Sequence, residues 1–168
     1  MARSRLKLAS VLHHMQAKPA EAAPAAKPGK PVARAVGSGR NEVRIIGGQW
    51  KRRRLAVSAA PGLRPTSDRV RETLFNWLAH QAGGDLQGWR CLDAFAGTGA
   101  LGLEAASRGA TQVSLVETSA EALEHLRQAV QLLQASNVRV VAGDGLGALR
   151  QQAAGSLSLV FLDPFYTS

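Results

Sequence analysis

Cys91-Leu-Asp-Ala-Phe-Ala-Gly-Thr-Gly-Ala-Leu-Gly102 reads as a buried strand, a glycine turn and the opening of a helix. Cys91, Leu92, Ala94 and Phe95 form the short apolar run that a parallel strand covered on both faces requires, and Gly97-Thr98-Gly99 breaks it. In Ala100 to Arg108 the spacing of Leu101, Ala105 and Arg108 suits a helix packed on a sheet. Glycines let the backbone turn tightly and approach a ligand closely, while a helix start offers unpaired N–H donors. Such a unit holds a nucleotide-like ligand at the carboxyl end of its strand.

Two ligand classes compete for that turn. Gly97-x-Gly99-x-x-Gly102 satisfies the dinucleotide fingerprint, and Glu117, at 117 − 97 = 20 positions on, supplies an acid for a ribose, as an NAD(P) oxidoreductase would need. Against it, Asp93 ends the strand where a pyrophosphate would meet a negative charge. The ammonium and sulfonium groups of S-adenosylmethionine would find the same carboxylate favourable.

Downstream, strand and helix patterns alternate, the signature of a parallel, doubly wound α/β sheet. Val113 to Glu117 is the second strand, with Glu117 at its carboxyl end, placed to bridge two ribose hydroxyls. Ser119 caps a helix carrying Leu123, Leu126, Val130 and Leu133 on one face. A third strand, Val138 to Val141, leads to Asp144, which suits an adenine amino group or a helix cap equally well. A fourth, Leu157 to Leu162, runs into Asp163-Pro-Phe-Tyr166. An exocyclic amine on a base is a poor nucleophile because its lone pair is delocalised into the ring. The Asp163 carboxylate and a proline-fixed carbonyl, that of Pro164, can accept both amine hydrogens and aim the lone pair at a methyl group. An aromatic side chain next to them would clamp an unpaired base.

Upstream, Val43 to Ile46 and Gln49 to Val57 make a hairpin or small arm around Gly47-Gly48. Arg44, Lys51, Arg52, Arg53 and Arg54 bunch positive charge on it beside Trp50, a pattern suited to a phosphate backbone. Thr66 or Ser67 caps a helix with Asp68 at its positive end and Val70, Leu74, Trp77 and Leu78 as its apolar stripe, Phe75 flanking. Arg64, Arg69 and Arg71 are expected on the polar side of that segment. Residues 1–42 differ in composition: Lys, Ala and Pro dominate, and such a stretch cannot bury enough apolar surface to order itself. A disordered basic tail followed by one domain over 43–168 is the expected organisation.

The whole chain has 168 residues, 45% of them hydrophobic, and a formal charge of +9, which favours a polyanionic partner, nucleic acid ahead of a membrane. Its one cysteine, Cys91, excludes an internal disulfide and reads as core. No apolar run approaches the ~20 residues of a membrane span, and the N-terminus lacks a secretory h-region, so a cytoplasmic setting is expected.

Phe95-Ala-Gly-Thr-Gly99, Glu117, Asp144 and Asp163-Pro-Phe-Tyr166 together resemble the class I S-adenosylmethionine-dependent methyltransferase pattern. With Arg44-Ile-Ile-Gly-Gly-Gln-Trp50 and the segment Leu63-Arg-Pro-Thr-Ser-Asp-Arg-Val-Arg-Glu-Thr-Leu-Phe-Asn-Trp-Leu78, the chain is similar from Arg44 onward to the bacterial RsmD-type enzymes. The resemblance implies a Rossmann-like sheet and methylation of the N2 amine of a guanine in 16S ribosomal RNA, free or in an assembling small subunit. A monomer that needs no metal is expected. By the same similarity Asp93, Phe95, Gly97 and Gly99 would border the methionine end of the cofactor, Glu117 its ribose and Asp144 its adenine. Asp163 and Pro164 would hold the guanine amine, and Tyr166 would stack on the base. Phe165 stands where the family has a second proline, which releases a φ restraint on the loop. The family continues past the fourth strand, so an incomplete sheet with an exposed edge is expected. Against this stand an NAD(P)-binding oxidoreductase, a non-catalytic RNA-binding fragment and a DNA amine methyltransferase.

Overall fold

The central sheet is parallel throughout, in agreement with the alternating strand and helix pattern. A computed structural model of the chain describes residues 7–8, 42–57 and 66–164. Its elements are β1 (Lys7–Leu8), β2 (Glu42–Arg44), β3 (Arg54–Ala56), α1 (Asp68–Ala82), β4 (Arg90–Asp93), α2 (Ala100–Ser107), β5 (Gln112–Glu117), α3 (Ala120–Leu133), β6 (Val138–Ala142), α4 (Gly145–Arg150) and β7 (Leu159–Phe161). Five strands lie in the order β1-β7-β4-β5-β6. Strand order therefore reverses beside β4, whose neighbours are the strand that follows it and the last one described, with Asp93 in register with both Leu115 and Phe161. An open α/β sheet binds ligands at the carboxyl ends of its strands at such a reversal.

The two faces of the sheet are covered unequally. Cys91, Val113, Leu115, Leu159 and Phe161 point to a large core shared with Leu74, Phe75 and Leu78 of α1, Leu101 and Leu103 of α2, and Leu126 and Leu133 of α3. Phe75 and Phe161 meet in a tilted ring pair with centroids 5.9 Å apart, a contact that adds about 1 kcal/mol beyond burial. On the other face Leu92, Val116, Leu157 and Val160 pack with Ala148 and Leu149 of the short α4.

Every residue of α2 is buried. The expected spacing describes one face, but the helix is enclosed because Val43 of β2 packs on Ala100 and the turn after β2 lies on Glu104 and Ser107. β2 and β3 pair antiparallel, Val43 opposite Leu55, while Gln49 and Trp50 donate their N–H groups to the carbonyl and hydroxyl of Ser107 at the end of α2. The second strand of this arm is shorter than the expected Gln49 to Val57, since 48–53 turn: Arg53 N–H bonds Trp50 O at 3.0 Å and Arg52 N–H bonds Ile45 O at 2.8 Å.

In α1 the sequence reading needs two corrections. Arg71, expected on the polar side, is 1% exposed, and Trp77, expected in the apolar stripe, is 44% exposed. The buried face centres on Arg71, Leu74, Phe75 and Leu78. At 100° per residue that face lies rotated away from Trp77. Ser67 caps the helix by accepting from Val70 N–H at 3.4 Å, and Ser119 caps α3 by accepting from Ala122 N–H at 3.3 Å, both as expected. Within the tail, Lys7–Leu8 forms a two-residue strand parallel to β7 instead of irregular chain; 1–6 and 9–41 lie outside the described residues.

Candidate active site

The glycine turn is built by backbone demands. Gly97 has φ +54° and Gly99 φ +79°, left-handed conformations that L side chains rarely adopt. Gly99 is the N-cap of α2 and offers no side chain to cap it. Asp93, at the end of the preceding strand, substitutes, its Oδ2 accepting from Gly102 N–H at 3.1 Å. Gly102 is required for a second reason, because a Cβ there would run into Leu115. The third glycine of the fingerprint thus seats α2 on β5 and makes no statement about a dinucleotide.

Asp93 is 1% exposed, and its Oδ1 is buried with no hydrogen-bond partner. Burial pushes its carboxyl up to about 7, with Asp163 and Glu117 adding to the rise and the Gly102 and Phe95 amides opposing it. Glu117, which ends β5, and Asp163, which follows β7, thus both act on the acid that ends β4. Cys91 is buried, and its thiol is pushed up to about 12 by burial and then by Asp93. It stays protonated and belongs to the core.

Glu117 reaches back to the turn. Its Oε2 accepts from Gly97 N–H at 2.8 Å, and its Oε1 accepts from Thr118 and Ser119 N–H at 2.7 and 2.9 Å. One bond on Oε2 leaves that oxygen capacity to accept another donor. Asp144, exposed at the start of α4, accepts from Gly147 N–H at 2.7 Å. Gly145 beside it packs so closely on the Ala94 carbonyl that a Cβ would collide, which sets the Asp144 loop against the end of β4. Asp144 is therefore a helix cap, positioned next to the glycine turn.

Asp163 is exposed two residues beyond β7, with Pro164 half-buried after it. Thr66, just before α1, approaches it with Oγ1 3.4 Å from Oδ2. Tyr166, with Phe165, and Arg64 lie outside the described residues. The acids Asp93, Glu117, Asp144 and Asp163 thus sit at or just past the carboxyl ends of four strands, with Phe95, Gly97 and Gly99 among them. Two surface hollows of about 400 Å³ lie elsewhere, one between β3 and α3 and the other at the C-terminal ends of α1 and α2. None of these acids lines either.

The basic arm is positioned differently from the rim. Because α2 starts at the glycine turn and ends at Ser107, the turn over 48–53 is at the far end of that helix. Trp50 is half-buried against the main core. Arg44 pairs with Asp68 at 2.7 Å and Arg54 with Glu42 at 3.4 Å, while Arg53 donates to Leu132 O at the end of α3. Lys51 and Arg52 are exposed, and Arg52 holds φ +71°, an uncommon conformation for a residue with a side chain.

A buried ionic seam between arm, α1 and α2 escapes the sequence reading. Glu104 of α2 is 0% exposed. It accepts from Ile46 and Gly47 N–H, both at 2.9 Å, from Arg108 Nε at 2.9 Å and from Arg71 Nη1 at 3.4 Å. Arg71 also donates to Asp68 Oδ1 at 2.6 Å, Arg44 O at 2.9 Å and Thr66 O at 3.1 Å. Burial lowers Arg71 from the usual arginine value, and Asp68 and Glu104 oppose that shift. One signal was available: a lone acid inside Ala100-Leu-Gly-Leu-Glu-Ala-Ala-Ser107, otherwise small and apolar, must find partners if the helix is enclosed.

Residues 43–168 match the family model described as conserved hypothetical protein 95. Ribosomal RNA small subunit methyltransferase D of Escherichia coli K12 is 48% identical over 127 residues, which cover 76% of this chain and 62% of that protein. The protein of the same name from Haemophilus influenzae is 44% identical over 131 residues, 74% of this chain and 64% of its own length. Among solved structures, the putative methyltransferase yhhF from Escherichia coli superposes with a TM-score of 0.64 at 44% identity, covering 73% of this chain and 64% of that one. The chain thus spans less than two thirds of the length of these relatives. With the Rossmann-like sheet of a class I methyltransferase and a family match that begins at Val43 within β2, the chain belongs to the RsmD-type family, conserved hypothetical protein 95.

Proposed function

We propose that this chain carries the cofactor turn and the amine-holding loop of an S-adenosylmethionine-dependent methyltransferase acting on the N2 amine of a guanine in 16S ribosomal RNA, in the cytoplasm. The observation that carries this is the unsatisfied Oδ1 of buried Asp93 beside the Gly97–Gly99 turn, in electrostatic reach of Glu117 and Asp163. A buried oxygen without a donor costs free energy, and a ligand ammonium would relieve it.

The residues fit this donor. Asp93 would face its ammonium, Phe95, Gly97 and Gly99 would line its methionine end, Glu117 would accept from its ribose, and Asp144 from its adenine. When bound, S-adenosylmethionine supplies an electrophilic methyl group on a positively charged sulfur. Asp163 and the Pro164 carbonyl would then accept the two amine hydrogens of the guanine and turn its lone pair out of conjugation. As the amine takes up the methyl group, Asp163 would stabilise the positive charge developing on the nitrogen and would accept its proton or let it leave to water. Tyr166 would stack on the base. Arg44, Lys51, Arg52, Arg53, Arg54, Arg64 and Trp50 would meet the RNA backbone, with Lys51 and Arg52 the cations least committed to the protein. The names of the curated relatives support the ribosomal RNA substrate; the guanine N2 target rests on the resemblance and on the Asp163-Pro164 chemistry.

The test is labelled methyl transfer to undermethylated small ribosomal subunits, comparing the parent with Asp163→Ala. Transfer is expected from the parent and a fall of about 100-fold in the variant, with S-adenosylhomocysteine binding retained, as for loss of one preorganised acceptor. An unchanged rate removes Asp163 from the reaction. Calorimetric binding of NADH with no response to S-adenosylhomocysteine would overturn the cofactor assignment.

A further inference from the structure

Asp163 is asked to accept amine hydrogens, a task with a structural requirement of its own. The carboxylate must be oriented, yet a cationic partner would engage its oxygens and compete for the lone pairs the amine needs. Among the described residues Asp163 takes part in no ion pair, and the polar side chain that touches it is the neutral hydroxyl of Thr66. We infer that Thr66 is the positioning residue of this carboxylate, donating its hydroxyl hydrogen to Oδ2 so that Oδ1 is presented to the target amine. The inference rests on the proposed function above.

Three features set Thr66 apart from a surface threonine that happens to be near. Its hydroxyl is not used as the helix cap, because Ser67 does that work for α1. Its carbonyl accepts from Nε of Arg71, a guanidinium that is 1% exposed and also held by Asp68, Glu104 and Arg44 O. The backbone of Thr66 is thereby tied through Arg71 to Glu104, which lies on the helix that begins at the cofactor turn. One hydrogen-bonded path therefore connects the helix that starts at the glycine turn with the side chain orienting Asp163, although Thr66 and Asp163 are 97 positions apart. The 3.4 Å separation is long for two oxygens, and hydrogen bonds of this kind shorten once substrate fills the site.

The experiment compares the parent, Thr66→Val and Thr66→Ser. Valine has nearly the shape of threonine and lacks the donor; serine restores it. On undermethylated small subunits, Thr66→Val is expected to lower kcat by about tenfold, the effect of one hydrogen bond to a charged group. The KM for RNA and the affinity for S-adenosylhomocysteine should move less than about twofold, and Thr66→Ser should recover most of the rate. A merely structural role would shift all three parameters, or none. In the protein without substrate, the side-chain carboxyl 13C resonance of Asp163, assigned by its loss in Asp163→Asn, should move in Thr66→Val and return in Thr66→Ser. A resonance insensitive to both substitutions overturns the inference, whatever the activity. A parent that transfers no methyl refutes the proposed function instead, and the resonance still decides whether Thr66 orients Asp163.

Discussion

Asp93 and Glu104 are both carboxylates with almost no contact with water, one at the end of β4 and the other on the helix that follows, and their surroundings are opposite. Glu104 receives two backbone N–H groups and two guanidiniums, so its charge is neutralised and both of its oxygens have donors. Asp93 receives Gly102 N–H on one oxygen, leaves the other without a hydrogen bond although the Phe95 amide acts on the carboxyl, and is influenced by two more acids. Burial alone therefore does not distinguish a structural acid from a functional one. On the proposed function the number of donors does: a carboxylate with every donor in place holds the fold together, and one left short would take a ligand's donor.

The largest effect that could break this contrast is at Glu104. Glu104→Gln keeps the shape but leaves the Arg71 and Arg108 charges without their buried counterpart, and a stability loss of about 3–5 kcal/mol is expected in urea unfolding. A loss below about 1 kcal/mol would mean that the seam contributes little. Asp93→Asn should behave in the opposite sense. Near pH 8 it removes a buried charge, so stability should hold or rise while affinity for S-adenosylhomocysteine falls at least about tenfold, the scale of one lost charge-assisted bond.

The pH dependence sharpens the same comparison. With its carboxyl pushed up to about 7 by burial, folded Asp93 keeps a proton that the unfolded chain releases near the ordinary value of 3.8. The unfolded state binds fewer protons across that window, so stability contributed by this group falls as pH rises from about 4 to about 7 and levels off above. Asp93→Asn should flatten that part of the profile in unfolding measurements. Affinity for S-adenosylhomocysteine should rise through about pH 7 in the parent and not in the variant, because only the ionised carboxylate attracts an ammonium.

The smallest effect concerns the arm, where partnered and unpartnered cations again sit side by side. Arg52→Gly removes a side chain from a left-handed residue, so stability should change by less than about 1 kcal/mol. The salt dependence of RNA binding should lose about one unit of slope. Arg54→Ala, which gives up a cation already paired with Glu42, should lose less. Equal slopes for the two would show that intramolecular pairing does not reserve an arginine from RNA.

The strand, glycine turn and helix around Gly97 were legible in the sequence because apolar runs and left-handed glycines are local properties. So were the caps at Ser67 and Ser119. Arg71 and Glu104 were not, because each reads as a solvated charge until the other, 33 positions away, is brought against it. Trp77 was misassigned for a related reason. Several stripes at 3.6-residue spacing pass through α1, and burying a guanidinium selected the one through Arg71 and Phe75. Trp50 looked like an aromatic set among cations for RNA, but its ring also closes the core beneath the arm.

The arm's attachment to Ser107 has a consequence for the length of any bound strand. Eight residues of α2 separate the cofactor turn from the arginine-rich corner, a rise of about 12 Å at 1.5 Å per residue. At about 3.4 Å per stacked nucleotide, that rise matches three or four stacked nucleotides, so on the proposed function a stacked strand reaching both places would extend that far beyond the target base.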